Sequence, residues 1–183
     1  MKNIIMFHGT GDPPKSFWYP YVKHELEQKG YDVWLPQLPH SDTPKLEFQL
    51  PFVLQNGKFS DETVIIAHSA GVPLALSVLE KFTIKIKCVI LIAGFISPMA
   101  KGESGPNLIL QKQYDWGKIR AHVVDIIFIH SDNDPWGGGD VEGRKMFNHL
   151  GGTLIIRHGE GHMGSQTFNQ PYKEFPFLIN LIN

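Results

Sequence analysis

The sequence predicts an α/β fold built on an open, doubly wound sheet of about six mostly parallel strands. Short runs rich in β-branched and aliphatic residues recur along its 183 residues, and stretches with the composition of helices separate them. The runs are continuously apolar rather than alternating, which is typical of strands buried on both faces of a parallel sheet. Strands that alternate with helices indicate βαβ crossovers, and a chain of this length predicts one domain over residues 1–183.

Six runs are predicted as strands, and four other stretches as helices. The strands are expected at residues 4–7, 33–35, 64–67, 88–93, 126–129 and 154–156. A helix is expected at 20–29, because Gly30 follows its last turn and glycine commonly ends a helix. Another is expected at 72–81, with Pro73 in the first turn, where a missing N–H is harmless. Composition also predicts helices at 140–150 and 172–181.

Charge and composition exclude several classes of protein. The chain carries 17 basic and 18 acidic residues, a formal net charge of −1, whereas nucleic-acid-binding and polybasic membrane-surface proteins carry a basic excess. No apolar run approaches the ~18 residues of a membrane span, and the apolar residues 4–7 are too few for a signal-peptide core. Cys88, the single cysteine, cannot form an internal disulfide and is expected to be buried and unreactive. These features predict a soluble cytoplasmic protein.

The residues that follow the strands carry the chemical signal, since open parallel sheets bind ligands at the carboxyl ends of their strands. Ser69 follows the third predicted strand in the segment Ala67-His68-Ser69-Ala70-Gly71, directly before a predicted helix. A serine flanked by small residues on such a turn is typical of a nucleophile, because the tight turn excludes large neighbours and exposes the hydroxyl. The alternative interpretation of Ser69 is an ordinary helix N-cap.

A serine nucleophile needs a base and an acid that orients the base. In the chain order of nucleophile, acid and base, the turn after the fifth strand offers Asp132 and Asp134, and the turn after the sixth offers His158 and His162. Asp134 is favoured because the proline after it stiffens the turn. His162 is favoured because the base must reach across to the serine. Spacing alone leaves Asp132 and His158 open as alternatives.

The backbone N–H groups of Thr10 and Ala70 are the candidates for an oxyanion hole. Ala70 follows the nucleophile at the positive end of the predicted helix, and glycines on both sides of Thr10 allow close approach. His8 and His68 also lie at strand ends, and we expect packing and hydrogen bonds to satisfy them rather than a role in catalysis.

Neither a metal ion nor another cofactor is predicted. His158 and His162 are four residues apart, but the glycines at 159 and 161 disfavour the helix on which such a pair would bind zinc. Residues 8–11 match neither the dinucleotide-binding nor the phosphate-loop pattern of glycines.

Aromatic residues near the strand ends are candidates for lining a substrate pocket. They are Trp18, Phe95, Trp116 and Trp136. The loops at 37–44 and 94–107 would form the roof, because six strands and their crossovers leave no room for an inserted cap domain. An open site with apolar walls in a nearly neutral protein favours a small acyl substrate that is uncharged and apolar.

Together these segments resemble the small serine hydrolases of the α/β-hydrolase superfamily, typified by retinoblastoma-binding protein nine and the bacterial YdeN proteins. The resemblance covers essentially the whole chain and rests on residues 8–11 with Trp18, 63–71, 104–105 with 115–119, 131–135 and 161–162. It implies a triad of Ser69, Asp134 and His162 that acts on esters or amides without a cofactor.

Two departures limit what the resemblance implies. The first position of the serine turn is Ala67 rather than glycine, a change between small residues that the tight turn should tolerate. The Leu-x-Cys-x-Glu segment linked to retinoblastoma binding is absent, because Cys88 lies in Ile86-Lys87-Cys88-Val89-Ile90. A retinoblastoma-type partner is therefore not expected.

The leading hypothesis is a serine hydrolase that works through an acyl-enzyme. In it, Ser69 attacks a carbonyl carbon, His162 moves the proton and Asp134 orients the imidazole. The alternative is a non-catalytic protein-binding module on the same scaffold, since a fold does not by itself imply a function. A third hypothesis, a flavodoxin-like nucleotide or flavin binder, shares the parallel sheet but gives Asp134 and His162 no role.

Overall fold

The structure, a computed structural model, describes residues 2–98 and 106–182. Six strands form one sheet: β1 (Asn3–Phe7), β2 (Asp32–Trp34), β3 (Val64–His68), β4 (Ile86–Ile92), β5 (Val123–Ser131) and β6 (Thr153–Arg157). Their order across the sheet is β2-β1-β3-β4-β5-β6, and every neighbouring pair is parallel. The predicted α/β fold class is confirmed, with a sheet that is all parallel rather than mostly parallel.

Helices cover both faces of the sheet. They are α1 (Tyr19–Gln28), α2 (Leu46–Asn56), α3 (Gly71–Lys81), α4 (Trp116–Ala121), α5 (Asp140–Leu150) and α6 (Pro176–Asn180), with a short 3₁₀ turn at Pro106–Ile109. Apolar residues of α2 to α5 share one core cluster with one face of the strands, and those of α1 and α6 share a second cluster with the opposite face.

The strand side chains divide between these two clusters with a period of two. In β1, for example, Ile5 and Phe7 belong to the cluster of α3, whereas Ile4 and Met6 belong to the cluster of α1. All four are essentially inaccessible to water. Burial on both faces explains why the strands appear in the sequence as continuous apolar runs, since neither set of alternating positions faces solvent.

The helix predictions are confirmed in part. The predicted helix at 172–181 is only the short α6, because Pro176 disfavours helical geometry at the residue before it and cannot itself donate a helical hydrogen bond. Helices α2 and α4 were not predicted. Pro51 lies inside α2, where proline opposes helix formation, and contact with α3 stabilises the helix nonetheless.

The candidate residues lie where the direction of the chain connections reverses. From β1 the chain passes to β2 on one side, and it then returns to β3 on the other side of β1. The carboxyl ends of β1 and β3 therefore border the crevice in which sheets of this kind bind ligands. Within the described residues no inserted cap domain separates the strands, although residues 99–105 of the predicted roof lie outside them. No helix in the described part of the chain has the length and apolar character to cross a membrane.

Candidate active site

Ser69 occupies a sharp turn between β3 and α3. Its backbone is left-handed, with φ of 52°, a conformation that is strained for a residue with a side chain. Its N–H donates to the carbonyl of Ile92 at 2.9 Å, which anchors the turn to β4. A Cβ at Gly71 would lie 2.5 Å from the carbonyl oxygen of Phe7, so only glycine fits there. Ala67, by contrast, is a buried residue of β3, and its methyl group packs in the core.

Three side chains from three separate loops form one hydrogen-bonded array. Nε2 of His162 lies 2.9 Å from Oγ of Ser69, and Nδ1 of His162 lies 2.7 Å from Oδ2 of Asp134. The Asp134 side chain is fully buried and that of His162 is 7% exposed. An ionised Asp134 can only accept a hydrogen bond, so the hydrogen of the neutral imidazole lies on Nδ1. Nε2 then has a lone pair that can accept the serine proton. The structure thus brings together the three residues that the sequence favoured.

The turn after β5 fixes the carboxylate. Oδ1 of Asp134 accepts a hydrogen bond from the backbone N–H of Trp136 at 2.8 Å, which leaves Oδ2 for the imidazole. A Cβ at Gly138 would lie 2.3 Å from the carbonyl oxygen of Ala93 and 3.0 Å from Oδ2, so this glycine lets β4 and the acidic turn approach each other. The carboxylate therefore meets His162 in a fixed orientation.

The loop that carries His162 is fastened on both sides. The N–H of His162 donates to Oε1 of Gln170 at 2.9 Å, and the N–H of Gly161 donates to Oδ1 of Asn133 at 2.7 Å. Behind the loop, the indole of Trp18 donates to the carbonyl of Met163 at 2.8 Å. Gln170 and Asn133 were not among the predicted site residues, since single amides on loops carry no recognisable sequence signal.

The two alternative residues pair with each other instead. Nδ1 of His158 lies 2.5 Å from Oδ2 of Asp132, and the His158 side chain is 96% exposed. The other carboxylate oxygen of Asp132 accepts the N–H of Gly159 at 2.8 Å. This backbone hydrogen bond, followed by the one from His158, lowers the pKa of Asp132. The pair closes a surface turn and is separate from the array at Ser69.

Thr10 and Ala70 carry the two backbone N–H groups that were predicted to form an oxyanion hole. Thr10 lies in the loop after β1, and Ala70 is the residue that precedes the first turn of α3. Among residues 2–98 and 106–182, no protein group accepts a hydrogen bond from either N–H. The Thr10 loop is held by the N–H of Gly11, which donates to the carbonyl of Ser41 at 2.8 Å. An oxyanion hole requires N–H groups of this kind, which have no protein acceptor.

A cavity of about 310 Å³ opens beside Ser69 and His162. The residues that line it include Thr10, Asp12, Trp136, Ser165, Gln166 and Thr167. Of the four predicted aromatic residues, only Trp136 is among the lining residues in the described part of the chain. Its indole donates to Oγ of Ser165 at 3.1 Å, which joins the acidic turn to the loop of the base.

The other three aromatic predictions require correction. Trp18 and Phe95 are each about 1% exposed and belong to the two cores, because the residues after β1 and β4 turn inward to pack under the helices. Trp116 begins α4 and stacks on His149 of α5, with ring centroids 4.4 Å apart. An aromatic residue after a strand is thus buried by packing as readily as it lines a pocket.

Cys88 and His8 match the structural roles expected of them. Cys88 is half-buried rather than buried, and burial raises the pKa of its thiol to about 12, which leaves it protonated. His8 is buried, with Nδ1 donating to the carbonyl of Gly9 at 2.9 Å and Nε2 accepting from Leu38 at 3.0 Å. Within the described residues, no three histidine, cysteine or acidic side chains converge as metal ligands would.

A half-buried carboxyl group that was not predicted also lies against the site. Asp12 lines the cavity, and Tyr19 and His68 connect it to the backbone of His162. Burial raises the pKa of Asp12 to about 6, against smaller opposing effects of Tyr19 and His162. An acidic residue close after the glycines of the first loop was the available signal, but acidic residues are common on loops.

The chain shares its sequence and fold with proteins already described. It matches the family described as serine hydrolase over residues 4–180. It is 28% identical to the serine hydrolase RBBP9 of Rattus norvegicus over 168 residues, which are 91% of this chain and 89% of the rat protein. It is also 28% identical to YdeN of Bacillus subtilis (strain 168) over 121 residues, which cover 64% of this chain and 60% of YdeN.

Solved structures agree with this relationship. The crystal structure of the ydeN gene product from B. subtilis superposes with a TM-score of 0.87 at 20% identity, covering 99% of this chain and 96% of that one. Est1E from Butyrivibrio proteoclasticus, crystallised with ferulic acid, superposes with a TM-score of 0.69 at 12% identity, covering 98% and 89%. At such identities the likeness concerns the fold, which is that of α/β-hydrolases. Because the family match spans nearly the whole sequence, the chain belongs to the serine hydrolase family.

Proposed function

We propose that this protein hydrolyses carboxylic esters through an acyl-enzyme. Oγ of Ser69 attacks the ester carbonyl carbon while Nε2 of His162 takes the hydroxyl proton, and Asp134 holds the imidazole in the required tautomer. The carbonyl oxygen becomes an oxyanion that accepts hydrogen bonds from the N–H groups of Thr10 and Ala70. As the ester bond breaks, the leaving alcohol takes the proton from His162 and the acyl group stays on Ser69.

The second half of the reaction reverses these roles. A water molecule gives a proton to Nε2 of His162 and attacks the acyl carbonyl, and the bond to Oγ breaks as Ser69 recovers its proton. The observation that carries the proposal is the continuous array of Ser69, His162 and Asp134, with distances of 2.9 and 2.7 Å. Two N–H groups without protein acceptors beside the serine support it.

The cavity favours a small acyl group. We propose an uncharged and apolar acyl group, as the sequence favoured, of a size that fits about 310 Å³. The indole of Trp136 offers it an apolar wall, and Thr10, Ser165 and Gln166 also line the cavity. The partners we propose are such small molecules, with neither nucleic acid nor a membrane surface among them.

Labelling with a fluorophosphonate probe tests the mechanism. The wild-type protein should be labelled on the peptide that contains Ser69, as read by mass spectrometry, and Ser69→Ala should not be labelled. A wild-type protein that stays unlabelled, or a Ser69→Ala variant that labels equally well, would refute the acyl-enzyme. A panel of esters, thioesters and amides of graded acyl length then identifies the preferred bond. Inactivity over that panel together with saturable binding of a protein would favour the non-catalytic alternative.

A further inference from the structure

A second hydrogen-bonded chain reaches the backbone of His162 rather than its imidazole. Nε2 of His68 lies 2.8 Å from the backbone carbonyl oxygen of His162, and Nδ1 of His68 lies 2.7 Å from the hydroxyl of Tyr19. The same hydroxyl lies 3.2 Å from Oδ2 of Asp12 and accepts the N–H of Gly9 at 3.3 Å. His68 and Tyr19 are fully buried, so water does not reach the hydrogen bond between them.

The direction of this chain follows from counting hydrogens. A carbonyl oxygen has no hydrogen to donate, so Nε2 of His68 must donate to His162. Burial, assisted by the nearby His162, lowers the pKa of His68 to about 3, so the ring is neutral and its Nδ1 has a lone pair. The donor that faces this lone pair is the hydroxyl of Tyr19.

The single hydrogen of the Tyr19 hydroxyl has two acceptors within reach, Nδ1 of His68 at 2.7 Å and Oδ2 of Asp12 at 3.2 Å. While Asp12 is protonated, it can donate its own hydrogen to the tyrosine oxygen, and the tyrosine hydrogen stays on the shorter contact with His68. An ionised Asp12 instead competes with His68 for the tyrosine hydrogen. The raised pKa of Asp12, about 6, agrees with a carboxyl group that holds its proton more firmly than usual.

We propose that Asp12, Tyr19 and His68 are positioning residues that hold the backbone of His162 in place, each donating a hydrogen bond to the next. The proposal rests on His162 being the base of the proposed function. When Asp12 ionises, it draws the hydrogen of Tyr19 away from Nδ1 of His68, and the imidazole that donates to the His162 carbonyl loses the partner that orients it. The relay therefore links the efficiency of the base to the protonation of Asp12.

Titratable groups from several elements of the fold surround Asp12. Tyr19 approaches from α1, His68 from the end of β3 and His162 from the loop after β6. Asp42, from the loop after β2, lies at the outer side, because a Cβ at Gly11 would be 3.8 Å from its Oδ1. Asp42 is exposed and provides a matched control for the charge of Asp12.

The tautomer of His68 tests the relay without any substrate. In the ¹⁵N-labelled protein, long-range proton–nitrogen NMR spectra should show His68 neutral, with hydrogen on Nε2, between about pH 5 and 8. Tyr19→Phe removes one oxygen without changing the shape of the ring, and the Nδ1 resonance should move toward that of a nitrogen without a donor. A His68 that carries hydrogen on Nδ1, or that is charged, would overturn the relay.

The pH dependence of activity tests whether the relay acts on the base. We compare kcat/KM of Asp12→Asn with that of wild type, using p-nitrophenyl acetate as substrate. The ratio of the variant to wild type should rise about three- to tenfold from pH 5 to pH 8, which corresponds to the free energy of one hydrogen bond. The rise is expected because asparagine donates to Tyr19 at every pH, whereas Asp12 stops donating when it ionises. The same ratio for Asp42→Asn should stay flat. In a Tyr19→Phe background the rise for Asp12→Asn should disappear.

Failure of the relay and failure of the proposed function give different results. A flat ratio, or an equal rise in the Tyr19→Phe background, shows that Asp12 does not act through Tyr19, and this overturns the relay while Ser69 still labels. If Ser69 does not label, the acyl-enzyme fails, and the NMR measurement still decides whether the hydrogen-bonded chain exists. The fluorophosphonate labelling rate replaces kcat/KM if the ester is a poor substrate.

Discussion

Nε2 of His162 lies 2.9 Å from Oγ of Ser69, although 93 residues separate the two in the chain. The contact exists because the turns after β3 and β6 lie at the same edge of a parallel sheet. The turn after β5 places Asp134 at that edge as well. The imidazole contacts the serine from a loop that is held in place by hydrogen bonds to Gln170, Asn133 and Trp18. This geometry leads to the predictions below.

Replacing Asp134 should reduce activity far more than replacing Asp132. Asp134→Asn keeps the shape of the side chain but lets an amide group face Nδ1 of His162, which favours the wrong tautomer. We expect kcat/KM for p-nitrophenyl acetate to fall about 10³- to 10⁴-fold. Asp132→Asn, on the exposed pair with His158, should change it less than about threefold. Equal losses in the two variants would contradict the assignment of the acid.

Removing the side chain of Ser69 should relieve the strain of its turn. A residue with φ of 52° is held in a conformation that glycine adopts freely. We therefore expect the free energy of unfolding in urea to be about 0.5 to 1 kcal/mol higher for Ser69→Gly than for Ser69→Ala. The difference is no larger because the greater freedom of glycine in the unfolded state offsets part of the strain that is relieved. Both variants should be inactive. If Ser69→Ala is the more stable of the two, the turn is not strained.

Gly71 should tolerate no side chain. A methyl group there would lie 2.5 Å from a backbone carbonyl oxygen of β1, which cannot move without disturbing the sheet. We expect Gly71→Ala to lower the free energy of unfolding by about 2 kcal/mol or more and to displace Ser69. Gly117→Ala in α4 is the control, because its nearest atom would be 3.5 Å away and alanine favours a helix. The control should unfold at an equal or higher urea concentration.

Stability should depend on pH through Asp12. Burial raises the pKa of this carboxyl from 3.8 to about 6, so the folded protein binds the proton more tightly than the unfolded one. The resulting stabilisation is complete below the unfolded pKa and is lost as the pH rises through about 6. Asparagine does not titrate, so the difference in free energy of unfolding, Asp12→Asn minus wild type, should increase by roughly 1 to 2 kcal/mol between about pH 4 and pH 7. Urea titrations over this range provide the measurement, and a constant difference would show that Asp12 is not buried as described.

Much of the architecture could be predicted from local patterns. The continuous apolar runs of the strands exist because both faces of the sheet are covered, and their order with the helices limits the topology to a doubly wound sheet. The helix α2 escaped prediction because Pro51 opposes it locally, while packing on α3 outweighs that effect. Prediction from sequence is weakest where tertiary contacts oppose local preference.

The site residues likewise divide into those that a local sequence pattern predicts and those that it does not. Ser69 was identifiable because its turn needs small neighbours within a few positions, a constraint that appears directly in the sequence. The roles of Trp18, Phe95 and Trp116 were not identifiable, since an aromatic side chain after a strand can turn toward the core or toward the crevice with the same local sequence. Gln170 and Asn133 act through single hydrogen bonds that no local pattern specifies.

The sequence by itself determined the fold class and the turn that carries Ser69, because apolar periodicity and turn sterics are local properties of the chain. Only the tertiary structure decided which acid meets which histidine. Asp132 and His158 satisfy each other on the surface, while Asp134 and His162 meet beside the serine. It also placed Asp12 and His68 within reach of one tyrosine hydroxyl. Hydrogen bonds depend on tenths of an ångström between distant segments, and spacing along a chain does not contain that information.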